Sequence, residues 1–158
     1  MSSPRFSSFS EFFPYYLGEH RHPTCRTLHF FGTAGFLAIV GAALWSRPTQ
    51  FGLALVGILV LGIIGNVIER RRNAAPVLLA MVVAGAVAQP WMLVGIAWAY
   101  LFAWIGHFKV EHNRPATFTY PLWSLLGDFK MWSMMARGRL WSGDPVDELG
   151  LNPAQPDD

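Results

Sequence analysis

The chain has 158 residues, 53% of them hydrophobic and 14% charged, with a mean hydropathy of +0.31. That is too apolar for a water-soluble domain of this length, so a membrane protein is the expected class. A net charge of +2, with basic residues beside apolar runs rather than in a stripe among aromatics, argues against nucleic acid as a partner, and a lone Cys25 excludes an internal disulfide.

The first segment, MSSPRFSSFSEFFPYYLGEHRHP, has no basic start leading into an apolar core and a small-residue cleavage site, so no secretory signal is read. Within it, FSEFFPYYLGEH predicts a short amphipathic helix over about 10–20, with Ser10 as its cap.

Three stretches then lack Asp, Glu, Lys and Arg: Thr27 to Ser46, Pro48 to Ile68 and Asn73 to Phe108. A bilayer crossing needs roughly 20 residues at about 1.5 Å each, so the first two are single spans. The third is too long for one crossing, and AQPW at 88–91 supplies a turn at Gln89 and Pro90. The expected fold is an all-α integral membrane protein, one domain over 1–158, with four transmembrane helices at about 28–46, 50–68, 74–88 and 91–108. Next, YPLWSLLGDFKMWSMMARGRLW places Leu122, Leu125, Leu126, Phe129 and Trp132 at helical spacing and predicts an interfacial amphipathic helix over about 121–137. The acidic, proline-bearing tail 143–158 is expected to be loosely held.

Four crossings return the chain to its starting side, so His29 at the entrance of the first span and His107 at the exit of the fourth share one face. Arg5, Arg21, Arg26, Arg70, Arg71, Arg72, Lys109, Arg114, Lys130, Arg137 and Arg139 fall on that face and only Arg47 opposite. By the positive-inside rule that face is cytoplasmic. The expected location is a bacterial inner membrane with both termini and the histidines on the cytoplasmic side.

All five histidines, His20, His22, His29, His107 and His112, gather on this face. Imidazole is the commonest protein ligand for transition metals, and with carboxylate it favours iron, zinc or manganese. His107 and Glu111 are four apart, about 40° around a helix, whereas His107 and His112 are separated by roughly 140°. Glu111 is therefore the better partner for His107 on a continuous helix. His20 and His29 lie about 180° apart on one helix. They can share a metal only through a break, which Pro23 in HRHPTC supplies by starting the membrane helix and folding the preceding one back. His22, beside that proline, reads as a solvent-side or capping residue.

A single histidine at an interface is ordinarily just an amphipathic residue; His20, His29 and His107 as a set carry the metal reading. Arg70, Arg71 and Arg72 are read as a topology anchor touching lipid phosphates, and Glu69 as neutralising them. Asp128 is read as solvated, and Asn66 as an interhelical hydrogen bond.

Two blocks, YYLGEHRHPTCRTLHFFGT (15–33) and GHFKVEHNRPATFTYPLWSLLGDFKMW (106–132), resemble a family of small membrane proteins. Its characterised fungal member is an iron(II)-dependent 2-hydroxy fatty acid dioxygenase acting in α-oxidation during phytosphingosine breakdown. Tyr16, His20 and His29 match the first motif, and His107, Glu111, Arg114, Pro115 and Ala116 the second. His112 departs from the pattern, which carries lysine there. The resemblance implies Fe(2+) held by His20, His29 and His107 with Glu111 or His112, Glu111 also serving catalysis, and Arg114, Arg21, Arg26, Tyr16 and Asn113 binding substrate. The implied partners are a long-chain 2-hydroxy fatty acid, O2 and membrane lipids.

The chemistry suits the residues. Two histidines and a carboxylate leave iron(II) with open positions for a 2-hydroxy acid and dioxygen; three or four histidines leave fewer. The conversion RCH(OH)COOH + O2 → RCOOH + CO2 + H2O balances without an external reductant, and the sequence has no Gly-rich dinucleotide motif. An acyl chain can lie among the Gly- and Ala-rich helices with its carboxylate at the interface, paired by Arg114, Arg21 or Arg26. The alternative from another class is a non-enzymatic membrane protein whose polar face binds lipid headgroups or a partner. Bis-histidine haem requires facing pairs deeper in the spans. Membrane di-iron desaturases carry more histidines than the five found here.

Overall fold

The computed structural model describes residues 5–151, all of whose regular structure is helical. The helices are α1 (Phe9–Gly18), α2 (Pro23–Ser46), α3 (Pro48–Glu69), α4 (Ala75–Ala88) and α5 (Trp91–Ile105), the last continuing into a π-helical turn over Gly106–Glu111. A 3₁₀ turn (Ala116–Phe118), α6 (Pro121–Ala136) and the short α7 (Pro145–Glu148) follow.

Local chemistry sets these boundaries. Ser8, rather than Ser10, caps α1 by accepting from Glu11 N. Pro23 opens α2 behind His22, whose side chain accepts from Thr24 N at 3.1 Å, so His22 is a cap. Pro48, Pro76, Pro121 and Pro145 likewise sit in the first turns of their helices, where a missing N–H costs nothing.

Among the described residues three helices are long and apolar enough to cross a membrane: Pro23–Ser46, Pro48–Glu69 and Trp91–Glu111. This corrects the expected four. The stretch read as the third span, α4, has only 14 residues, about 21 Å of helix against a hydrocarbon core of about 30 Å. α4 nevertheless carries the chain from Ala74, beside Glu69, to Ala88, which packs with Ala43, Phe51 and Met92 at the opposite end, so the alternation of helix directions still brings His29 and His107 to one end. They meet because α2 and α5 are close neighbours that run in opposite directions, while α3 packs along α4. Glycines allow this proximity. A Cβ on Gly32 would meet Ala99 O and Phe102 Cβ at 3.2 Å, and one on Gly106 would stand 2.9 Å from Cys25 Sγ. The outward faces remain apolar and exposed, as at Leu53, Val60, Val67, Val83, Leu93 and Leu101, which is the surface that hydrocarbon satisfies.

Above one end of these helices α1 and α6 pack on each other. Phe12, Tyr16, Leu17, Trp123, Met131 and Met135 form an almost fully buried aromatic and thioether core there. Glu69, fully buried, fastens this cap to the bundle. Its carboxylate accepts from Leu122 N at 2.7 Å, Trp123 N at 3.3 Å and Ala74 N at 3.2 Å, and pairs with Arg5 at 3.2 Å. It thus satisfies free N–H groups at the starts of α6 and α4, a different task from neutralising the exposed Arg70 to Arg72. Asn66 accepts from Trp123 Nε1 at 2.9 Å.

The segment after α6 is held more firmly than expected of a loose tail from 143. Arg26 donates to the carbonyls of Ser142 and Gly143, Arg21 pairs with Asp144 at 3.3 Å, and Leu149 and Leu151 pack on the aromatic core. The rest of that tail, 152–158, lies outside the described residues.

Candidate metal centre

His20 follows α1, His29 lies two turns into α2, and His107 sits at the start of the π turn. The helix break before Pro23 folds the first onto the second, and α2–α5 packing brings in the third. All three are buried, and one ring nitrogen from each lies within 4.8 Å of the others. The ring centroids of His20 stand 4.6 Å from those of both His29 and His107, which are themselves 5.3 Å apart.

The outward nitrogens are all occupied. His20 Nδ1 donates to the Tyr16 carbonyl at 2.6 Å, His29 Nδ1 to Asp128 Oδ1 at 2.7 Å, and His107 Nδ1 to Asn113 Oδ1 at 2.7 Å. With the proton on Nδ1, each ring turns the lone pair of Nε2 inward, the tautomer a metal ligand needs. The Nε2 atoms of His20 and His29 are buried without a hydrogen-bond partner. Leaving such groups unsatisfied costs about 1–3 kcal/mol each, so the arrangement fits a cation that would accept these lone pairs. Neutral imidazoles suit iron, zinc, copper or nickel.

Burial holds the His20 imidazole well below the usual histidine range, and positive charge on His29 or His107 would lower it further. The ring therefore stays neutral and able to ligate. The Tyr16 phenol is held well above its ordinary value, first by burial and then by Asp128, and remains protonated. The Glu19 carboxyl is raised by burial and by nearby Glu111.

The π turn determines which neighbours reach the centre. Its i→i+5 bonding puts more residues in a turn, so position i+4 no longer overlies position i. Glu111, placed over His107 by α-helical geometry, instead accepts from His22 N at 2.7 Å and lies outside the three-histidine group. His112 ends the turn in the left-handed region at φ 54° and is exposed. That reversal carries Asn113 back over the turn, where its Oδ1 meets His107 and its Nδ2 donates to Glu19 O at 2.9 Å and Oε2 at 3.0 Å. Asn113 thus serves the ligand ring.

None of the three arginines expected to bind the substrate carboxylate lines the cavity described below. Arg26 is fully buried, and its guanidinium donates to the carbonyls of His20, Arg21, Leu140, Ser142 and Gly143. No donor is left for a ligand. Arg21 is engaged by Asp144, and the exposed Arg114 lies 4.8 Å over the Phe118 ring. Tyr16 borders the cavity described below, and its hydroxyl donates to Asp128 at 3.4 Å.

Asp128, expected to be solvated, is instead largely enclosed. It accepts from His29, Tyr16 and Thr33 Oγ1. The signal was present, since Asp128 falls one turn after Leu125 and one before Trp132, on the apolar stripe of α6 where a solvated carboxylate does not belong.

Below the histidines a cavity of about 870 Å³ runs down the bundle. His29, His107, Tyr16 and Asp128 lie at its head; Phe51, Gly85 and Met92 line it at the far end. His29 and Val40 both border it, and the helix between them is about 16 Å long. Its walls are otherwise almost wholly apolar, the usual character of a site for a lipophilic ligand.

Fold and site together define an apolar helical protein with a buried three-histidine centre at the mouth of a lipophilic cavity. The chain belongs to the family described as 2-hydroxy-palmitic acid dioxygenase Mpo1-like, whose model matches residues 6–77 and 73–140. No curated protein and no solved structure gives a significant match.

Proposed function

We propose that the protein is an iron(II)-dependent dioxygenase that converts a long-chain 2-hydroxy fatty acid into the acid one carbon shorter, with release of CO2. One observation carries this reading: His29 and His107 line the head of an apolar cavity large enough for an acyl chain, and His20 brings a third ring nitrogen within 4.8 Å of theirs. The family description points to the same substrate class.

In this reading His20, His29 and His107 hold the metal. Iron(II) bound there would supply Lewis acidity toward the substrate's hydroxyl and carboxylate and the electron chemistry dioxygen requires. The cavity binds the alkyl chain and excludes water, so the polar end of the substrate is delivered to the histidines while the chain stays in oil. Tyr16, a neutral phenol at the cavity head, is the hydroxyl positioned to meet that polar end. Glu111 and His112 are left out of the ligand set, and the carboxylate finds its positive charge at the metal rather than at Arg21, Arg26 or Arg114. The histidine end faces the cytoplasm, since exposed Arg70, Arg71 and Arg72 follow α3 at that end and Arg47 lies at the other.

The test is metal analysis of purified protein together with lipid mass spectrometry. The expected result is about one divalent metal per chain and, with Fe²⁺ and O2, loss of one carbon from a long-chain 2-hydroxy acid, both abolished by His20→Ala, His29→Ala or His107→Ala. Intact substrate across chain lengths and both stereoisomers with iron-loaded protein would falsify the reaction. Failure to bind metal would favour a protein that only binds lipid headgroups or a partner.

A further inference from the structure

The three histidine rings are held from behind by unequal partners. His20 donates to a backbone carbonyl and His107 to a neutral amide, but His29 donates to a carboxylate. Among the described residues that line the cavity, Asp128 is the one carboxylate, and no lysine or arginine joins it there. Its side chain is largely buried, at 19% exposure. A carboxylate so placed needs compensation. Neutral donors supply part of it: Thr33 Oγ1 donates to Oδ2 and Tyr16 to Oδ1, both from residues that also border the cavity. Among the described residues that line the cavity no fixed positive charge faces it, and a cation at the inward side of the His29 ring would complete the compensation.

Resting on the metal reading above, we infer that Asp128 is the positioning residue that sets the charge and electron-donating power of the centre. It fixes the His29 tautomer, makes that ring the one ligand of the three backed by a negative charge, and partly offsets a divalent cation. Carboxylate–histidine–metal relays act in this way, and loss of the outer partner typically weakens metal binding about 10–100-fold. A more basic ligand and a nearby anion both favour the higher oxidation state of a redox metal, so the carboxylate lowers the potential of the couple. Thr33 and Tyr16 hold its two oxygens in register.

The experiment compares full-length wild type with Asp128→Asn, which keeps shape and one acceptor oxygen but removes the charge. Anaerobic Fe²⁺ titration and the midpoint potential of the bound iron are read in each. The expected result is Fe²⁺ binding about 10–100-fold weaker in D128N and a potential shifted to more positive values. A purely structural role would lower stability and leave the potential of the folded, loaded fraction in place. Unchanged affinity and potential in folded D128N overturn the inference while leaving the metal site itself intact. Wild type that binds no Fe²⁺ overturns both. If D128N does not accumulate folded, Thr33→Val reads the same link, because it keeps the carboxylate but frees Oδ2. A few-fold change in Fe²⁺ affinity with a shifted potential supports the inference, because the donor to Oδ2 tunes how strongly the carboxylate draws on the His29 ring, and unchanged affinity and potential overturn it.

Discussion

The amide oxygen of Asn113 stands 2.7 Å from Nδ1 of His107, six residues earlier in the chain. The contact exists because Gly106–Glu111 is a π turn and His112 reverses the backbone behind it. Orientation of a ligand ring thus depends on an irregular piece of helix, a common feature of functional sites. Asn113→Ala removes the acceptor that fixes the ring and also frees the Glu19 carbonyl. The expected outcome is metal binding about 10–100-fold weaker with all three histidines still present. Metal titration of the folded variant checks it; wild-type affinity would show that the ring is held by its packing alone.

The cavity has a measurable depth. Val40 lies about 16 Å of helix beyond His29, and Phe51, Ala88 and Met92 pack close by at the far end. Val40→Trp places bulk across the lower cavity without touching the histidines. The expected outcome is a kcat/KM lower by about tenfold or more for the longest 2-hydroxy acids accepted, equivalent to ~1.4 kcal/mol, with the shortest little affected. A homologous substrate series followed by mass spectrometry reads this. An unchanged chain-length profile would mean that the alkyl chain lies elsewhere.

Arg26 ties α2 to the chain after α6 through three carbonyl acceptors, Leu140, Ser142 and Gly143, and to the turn before α2 through two more, His20 and Arg21. Arg26→Met keeps much of the apolar stem but strands those carbonyls. The expected cost is about 3 kcal/mol or more, since bonds to a charged donor contribute about 1.5–3 kcal/mol each and do not add fully. Thermal unfolding in detergent should show it, along with faster proteolysis between residues 137 and 144. A variant of normal stability with a raised KM would instead restore Arg26 to the role of carboxylate partner.

Much of this protein is legible from local signals. Hydropathy marks α2, α3 and α5, Pro23 marks the break after His20, and Gln89–Pro90 marks the turn between α4 and α5. These features follow from residue type and near neighbours, so they survive in a one-dimensional reading. The shortness of α4 is visible too: with 14 residues it is too short for a full span, yet it still returns the chain to the far end of the bundle, so α5 runs antiparallel to α2.

What the sequence by itself determined is the supply of parts: apolar helices, a proline break, and three histidines in two short blocks. Only the tertiary structure decided how they are used, because ligation depends on which ring nitrogen is occupied and from which direction. Glu111 leaves the centre through a backbone turn that spacing does not reveal, and Arg26 is taken up by carbonyls more than a hundred residues away. Asp128 reaches His29 across 99 positions of chain, a partnership set by the packing of α6 on α2 and by the cost of burying a carboxylate without donors.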